Sequence, residues 1–242
     1  MNPAPTAAAP ASRPGGQRMA ALKQRLQRGA HAASDPVVAR LFRLGVRADQ
    51  LTVLGLLLSG LAGWAYFDGH FRLGALFLAL SGICDILDGQ LARRAGVVSR
   101  FGAFLDSTLD RLGEGLVLVG IIGFYLRNLV ALVFQQSRVL VQMSVGLEPV
   151  TWAVVALTAA LALVGSFLVS YTRARAEGLG IECRVGWFER PERMALLIVA
   201  GLLRVFWAMS AALLLLAVLS FVTAAQRVAH VHRHTRGAGM DH

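Results

Sequence analysis

The chain has 242 residues, 56% of them hydrophobic, with a mean hydropathy of +0.59 and a net charge of +10. Soluble domains are about 45–50% apolar; the excess here is gathered into long uncharged runs, which excludes a soluble enzyme and leaves no room for a second sizeable soluble domain. The basic residues sit between apolar runs and not on an aromatic-rich soluble face, which points to lipid head groups and excludes nucleic acid.

Met1 to Gly16 is rich in alanine and proline, lacks the apolar core of a secretory signal, and reads as a disordered tail. Residues 17–44 mix arginine with Leu22, Leu26, Ala30, Ala33 and Val37 at helical spacing. This predicts an amphipathic juxtamembrane helix lying on the lipid interface, broken or kinked at Pro36. Residues 45–230 then form an all-α integral membrane domain of six transmembrane helices, near 51–67, 72–92, 101–125, 151–173, 192–208 and 209–227. Leu51–Phe67, Thr151–Thr172 and Val205–Gln226 carry no charge at all, and each is close to the ~20 residues that cross a bilayer. Leu126 to Val150 is apolar but interrupted by Arg127, Arg138, Glu148 and Pro149; it fits a loop or a re-entrant segment. Residues 231–242 read as a tail. Cys84 and Cys183 are too few for a disulfide framework, and Cys84 reads as core filler.

Charge sets the orientation. With the N-terminus inside, nineteen Arg/Lys fall on cytoplasmic segments, and only Arg72, Arg127 and Arg138 on outer ones. That bias places both termini in the cytoplasm.

Of fourteen acidic residues, Asp85, Asp88, Asp106 and Asp110 lie at or within the ends of two apolar spans. Ionisable groups in such places are costly and mark function. Asp85 and Asp88 are spaced i,i+3, and Asp106 and Asp110 i,i+4, so each pair shares one helix face. A short loop, Arg94 to Arg100, makes the two helices antiparallel neighbours and lets all four carboxylates enter one site. Four carboxylates so close cannot all stay ionised without cations. Hard oxygen ligands favour Mg²⁺, Mn²⁺ or Ca²⁺, and paired metals about 3.5–4 Å apart serve in-line phosphoryl displacement. The bland reading is a set of helix caps and ion pairs with Arg93, Arg94 and Arg111. Gly89, beside Asp88, and Gly102, facing it across the helix pair, would leave room for a flat ligand. A cation transporter would also place carboxylates in membrane helices, but near mid-bilayer and not at the cytoplasmic ends of two adjacent spans.

The run Asp85-Ile-Leu-Asp88-Gly89-Gln-Leu-Ala92-Arg93, followed by Gly102, Asp106 and Asp110 at the spacing seen here, resembles the full signature of the CDP-alcohol phosphatidyltransferases. The resemblance implies a metal-dependent membrane enzyme of phospholipid biosynthesis that moves a phosphatidyl group from CDP-diacylglycerol to a hydroxyl. It implies Asp85, Asp88, Asp106 and Asp110 as ligands of two Mg²⁺ or Mn²⁺ ions, with Asp110 also the general base. Gly89, Ala92 and Arg93 would contact the cytidine nucleotide. Asp49 and Thr52 match the family's nucleotide-binding lead-in, although Ala48 stands where proline is usual. It further implies a homodimer, in a bacterial-type inner membrane with the active site cytoplasmic.

A second cluster contains Arg173, Arg175, Arg190 and Arg193, with Arg227 at the end of the last span. The segments Ser170 to Gly180, Glu189 to Arg193 and Thr223 to Arg227 resemble the phosphatidylinositol phosphate synthases of the family. That subgroup implies inositol phosphate as acceptor, gripped by Arg173, Arg193 and Arg227, with Arg173 where lysine is usual. Glycerol 3-phosphate is the alternative acceptor, since it too needs a phosphate clamp. The competing account of these arginines is positive-inside topology and head-group binding.

Overall fold

The structure, a computed structural model, describes residues 34–96, 99–134, 148–203 and 205–238. The expected tail, and the expected interfacial helix before residue 34, lie outside them. Among the described residues the regular elements are helices, α1 over 34–43, α2 Ala48–Phe67, α3 Phe71–Ala95, α4 Arg100–Phe134, α5 Pro149–Gly178, α6 Arg190–Leu203 and α7 Phe206–Ala238, with residues 179–189 an irregular connection.

Local chemistry sets the helix ends. Gly96 closes α3 in the left-handed conformation (φ 65°), with Arg93 and Arg94 in the last turn facing the negative end of the helix dipole. Ser99 caps α4, its Oγ accepting from the Gly102 amide at 2.9 Å. Pro149 opens α5 where its missing N–H costs nothing. Glu192 reaches back to the Glu189 amide at 3.1 Å and caps α6.

Six helices close into a ring. α3 packs on α2, α2 on α4, α4 on α5, α5 on α7, α7 on α6, and α6 back on α3. α3 and α4, expected as direct neighbours, are not a main packed pair; α2 lies against both. Glycine makes the α2–α4 crossing possible: a Cβ on Gly63 would lie 2.5 Å from the Leu116 carbonyl oxygen, and one on Gly120 would land on the Gly63 carbonyl. The ring is filled by Val117, Leu118 and Ile121 of α4, Ala159 of α5, Leu197 of α6, and Leu213 and Leu216 of α7, all fully buried. One end is closed by aromatic rings: Phe71, Phe124, Tyr125, Trp152 and Phe206 meet edge-on or tilted at 4.8–5.9 Å. α1 packs at the other end, Val38 against Leu51 and Leu91, with the Gln90 amide donating to Ser34 Oγ at 2.6 Å.

Every ring helix also turns large apolar side chains outward: Leu57 and Trp64 on α2, Leu76 and Ile83 on α3, Val119 and Val130 on α4, Leu157 and Val164 on α5, Val199 and Leu202 on α6, Leu214 and Val218 on α7. A ring apolar inside and out is solvated by lipid. Among the described residues four helices, α2, α4, α5 and α7, are long and apolar enough to cross a membrane. α3 has the length, with 25 residues, but carries Asp85, Asp88, Arg93 and Arg94; α6 has 14 residues. The expected joint between spans 192–208 and 209–227 falls earlier: α6 ends at Leu203 and α7 starts at Phe206. The sequence does mark that joint: Arg204 interrupts the apolar run between Leu203 and Val205, with Gly201 just before it. Residues 126–134, left open between loop and re-entrant segment, continue α4, and 135–147 lie outside the described residues.

Replacing Gly120 with leucine should force α2 and α4 apart. Overpacking of this kind costs about 1–3 kcal/mol or more, so the thermal unfolding midpoint in detergent should fall, whereas Gly96→Asn, at an open left-handed turn, should leave it nearly unchanged.

Candidate active site

The alternation of helix directions brings the start of α2, the end of α3, the start of α4, the end of α5, the start of α6 and the Arg227 region of α7 to the end of the ring opposite the aromatic rings. The polar residues lie there. A cleft is lined by Thr52, Gly55, Leu56 and Ser59 of α2, Ser81, Asp85 and Asp88 of α3, Leu109 and Asp110 of α4, and Arg190 of α6. Deep in it, Ser59 and Ser81 share a hydrogen bond of 2.9 Å, and Ser81 donates to the Gly55 carbonyl at 2.9 Å.

One oxygen each of Asp85, Asp88 and Asp106 lie within 4.8 Å of one another. Thr52 donates its hydroxyl to Asp88 Oδ2 at 2.8 Å and so fixes that carboxylate, which is buried. Asp106 Oδ1 is buried with no protein partner. A buried acceptor with no donor, beside two further carboxylates from a different helix, suits a hard divalent cation. The residues present therefore fit a metal ion.

Asp110 enters the same cluster by another contact. Arg190 Nη1 lies 2.8 Å from Asp110 Oδ2 and 3.1 Å from Asp85 Oδ2, so one guanidinium bridges α3 and α4 from the first turn of α6. Of the nucleotide-side residues, Thr52 is in the cleft, and the Arg93 guanidinium lies over Gly89, 3.6 Å from where a Cβ would stand. Ala92 is half-buried on the same turn. Asp49 is at the exposed start of α2, paired with Arg47 at 3.7 Å and not with the aspartate cluster. The Gly102 contact is local, to its own cap Ser99.

The three arginines expected at the acceptor are brought to this end of the ring, each with an acidic partner. Arg173 Nη1 lies 3.6 Å and Arg227 Nη2 3.8 Å from the same oxygen, Glu189 Oε1. Arg173 Nε also donates to Glu177 Oε1 at 2.9 Å, and Arg227 donates to the Val185 carbonyl at 3.0 Å and to the Val169 carbonyl. Arg193 is buried, holding both oxygens of Glu114 at 2.6 and 2.8 Å. Glu114 and Glu189 were not singled out in the sequence. The signal for Glu114 is plain in retrospect: it is the sole charged residue between Arg111 and Arg127, one turn beyond Asp110. Glu189 carries no such signal, because it opens a charged run with Arg190, Glu192 and Arg193.

The profile of the CDP-alcohol phosphatidyltransferases matches residues 46–225, which is most of the chain and contains the whole aspartate cluster. The chain belongs to this family. Among curated relatives of this phosphatidyltransferase, the archaetidylinositol phosphate synthase of Methanothermobacter thermautotrophicus is 38% identical over 204 residues, covering 81% of this chain and 91% of that one. The phosphatidylinositol phosphate synthase of Mycobacteroides abscessus is 32% identical over 212 residues, covering 85% and 86%. Two crystal structures of the Mycobacterium tuberculosis phosphatidylinositol phosphate synthase superimpose at 30% identity and cover 81% of this chain. One holds CDP-DAG (TM-score 0.65, 92% of that chain), the other manganese and citrate (TM-score 0.66, 87%).

Mn²⁺ titrated into the purified transferase should bind, read as loss of the free-ion paramagnetic resonance signal, and should raise the unfolding midpoint. At a hundred times its dissociation constant a ligand stabilises by about 2.7 kcal/mol. Asp106→Asn should remove both effects while leaving the metal-free protein folded.

Proposed function

We propose that this phosphatidyltransferase moves the phosphatidyl group of CDP-diacylglycerol onto a hydroxyl of inositol phosphate and releases CMP. The observation that carries the reading is the placement of the aspartate cluster next to three arginines at one end of the ring. The first suits a metal-bound diphosphate and the second a phosphorylated acceptor. The names of the relatives support the acceptor: they differ in the lipid and share the inositol phosphate.

In this reading Asp85, Asp88, Asp106 and Asp110 hold two ions, Mg²⁺ or Mn²⁺. Bound there, the ions would neutralise the diphosphate and stabilise charge on the departing CMP. Thr52 keeps Asp88 in place through its 2.8 Å hydrogen bond. Gly89, Ala92 and Arg93 line the nucleotide side, and Asp49 approaches from the start of α2. Arg173, Arg193 and Arg227 hold the acceptor phosphate; Glu189 now supplies the negative charge between Arg173 and Arg227 that the phosphate would bring. Asp110 accepts the proton of the attacking hydroxyl. The acceptor oxygen forms its bond to the β-phosphorus as the bond to the bridging oxygen breaks, and the electron pair leaves with CMP.

All six ring helices span the bilayer in this reading, α3 and α6 included, because their outer faces are as apolar as the rest. The site end faces the cytoplasm of a bacterial-type cell. Among the described residues it carries Arg93, Arg94, Arg100, Arg173, Arg175 and Arg184, against Arg72 and Arg127 toward the other end. The active unit is a homodimer.

Purified protein given labelled CDP-diacylglycerol should make lipid product with inositol phosphate and not with serine or unphosphorylated inositol. Product with glycerol 3-phosphate alone would replace the acceptor and keep the mechanism. Excess EDTA should abolish turnover, and Mg²⁺ or Mn²⁺ should restore it. Asp110→Asn should cut the rate by about 10²–10⁴-fold, the usual worth of a general base, with CDP-diacylglycerol still bound; retention of more than about a tenth of the rate removes Asp110 from that role.

A further inference from the structure

α4 and α6 are not a main packed pair of the ring, yet two ion pairs join them across its interior. The outer pair is Asp110 with Arg190, at 2.8 Å and about one-fifth exposed. The inner pair is Glu114 with Arg193. It lies one helical turn deeper on both helices, since Asp110 and Glu114 are spaced i,i+4 and Arg190 and Arg193 i,i+3. Its side chains are 3% and 1% exposed.

The inner pair is bidentate. Glu114 Oε1 takes Nε at 2.6 Å and Oε2 takes Nη2 at 2.8 Å. A guanidinium is planar and rigid. Once that edge is held, the direction of its remaining nitrogen is settled. Nη1 points to the Phe188 carbonyl at 3.5 Å, next in the chain to Glu189, on which Arg173 and Arg227 converge. Arg193 alone could adopt many rotamers; held by Glu114, it turns Nη1 toward the Phe188 carbonyl, beside the residue on which the other two arginines converge. Glu114 touches none of the aspartates, and a buried ion pair kept for packing alone could be replaced, both partners together, by apolar side chains.

We propose that Glu114 is the positioning residue of the acceptor half of the site, acting through Arg193. The inference rests on the acceptor-phosphate reading of the arginines. It sets Glu114 apart from Asp110, one turn away on the same face, which serves the donor half.

The test is a double-mutant cycle of Glu114→Gln and Arg193→Gln, with KM measured for inositol phosphate and for CDP-diacylglycerol, and Mn²⁺ affinity measured on the same preparations. Glu114→Gln should raise the inositol phosphate KM about tenfold or more, the loss expected for one charge-assisted hydrogen bond. The CDP-diacylglycerol KM and the Mn²⁺ affinity should stay at wild-type values. In the Arg193→Gln background the Glu114 change should add nothing to the acceptor KM, because two residues that act as a unit are not additive. Glu114→Asp keeps the charge on a shorter arm, should recover part of the acceptor KM, and serves in the cycle if the glutamine variant does not fold. Equal damage to both KM values, or full additivity with Arg193→Gln, overturns the positioning role. A raised acceptor KM in Arg193→Gln but not in either Glu114 variant overturns it alone. An unchanged acceptor KM in Arg193→Gln overturns the acceptor clamp and this inference together.

Discussion

Five carboxylates, Asp85, Asp88, Asp106, Asp110 and Glu114, face inward at one end of a ring whose walls are otherwise apolar. Charge of one sign in such a place must be met by charge of the other, because neither water nor a low dielectric will carry it. The structure meets it in two ways. Arg190 and Arg193 come in from the start of α6 and pair with Asp110 and Glu114, Arg190 reaching Asp85 as well. Asp88 and Asp106, with Asp85, remain close together as oxygen donors, and Asp106 Oδ1 has no protein partner. Much of the rest follows. α6 can be short because its start is held by ion pairs as well as by packing, and it brings the second, basic half of the site against the acidic half.

The second constraint is lipid. Hydrophobic burial cannot drive helices together when the surroundings are as apolar as the interior, so close backbone contact takes over. Gly63 and Gly120 let α2 and α4 meet at their backbones, and Gly165 lets α5 approach Ser220 of α7, where a Cβ would lie 2.9 Å from the serine Cβ. The aromatic rings close the far end, with Tyr66 Oη donating to the Leu197 carbonyl at 3.2 Å to tie α2 to α6. At the opposite end the cleft opens, and small polar groups such as Thr52, Ser59 and Ser81 line the descent.

The two halves of the site share one two-residue element. Glu189 and Arg190 are adjacent at the start of α6 and carry opposite charges. Glu189 lies against the arginines and Arg190 against the aspartates. In the proposed reaction these are the places of the acceptor phosphate and of the cation-bound diphosphate. The first turn of α6 is thus the seam along which donor and acceptor would meet.

The sequence by itself determined which carboxylates gather in the acidic half. Helical spacing puts Asp85 with Asp88, and Asp106 with Asp110, on shared faces, and ionisable groups at the ends of apolar runs are too costly to be incidental. It also determined the membrane class, because uncharged runs of bilayer length need no tertiary information to be read. Helix neighbours were another matter. A short loop between α3 and α4 suggested that they pack together, but ring closure depends on Gly63 and Gly120, which are two among 25 glycines until the crossing is seen. The joint of α6 and α7 at 203–206 was legible, since Arg204 interrupts the apolar run there, but one charge does not by itself say where a helix ends. Only the tertiary structure decided how charge is shared. Arg193 reads from its position as a free cation at a span end, and Glu114 as a lone acid in an apolar run. Their bidentate pair joins residues 79 apart in the chain, and no local pattern encodes a partner at that distance, because pairing is set by where the ring closes and not by what flanks either residue.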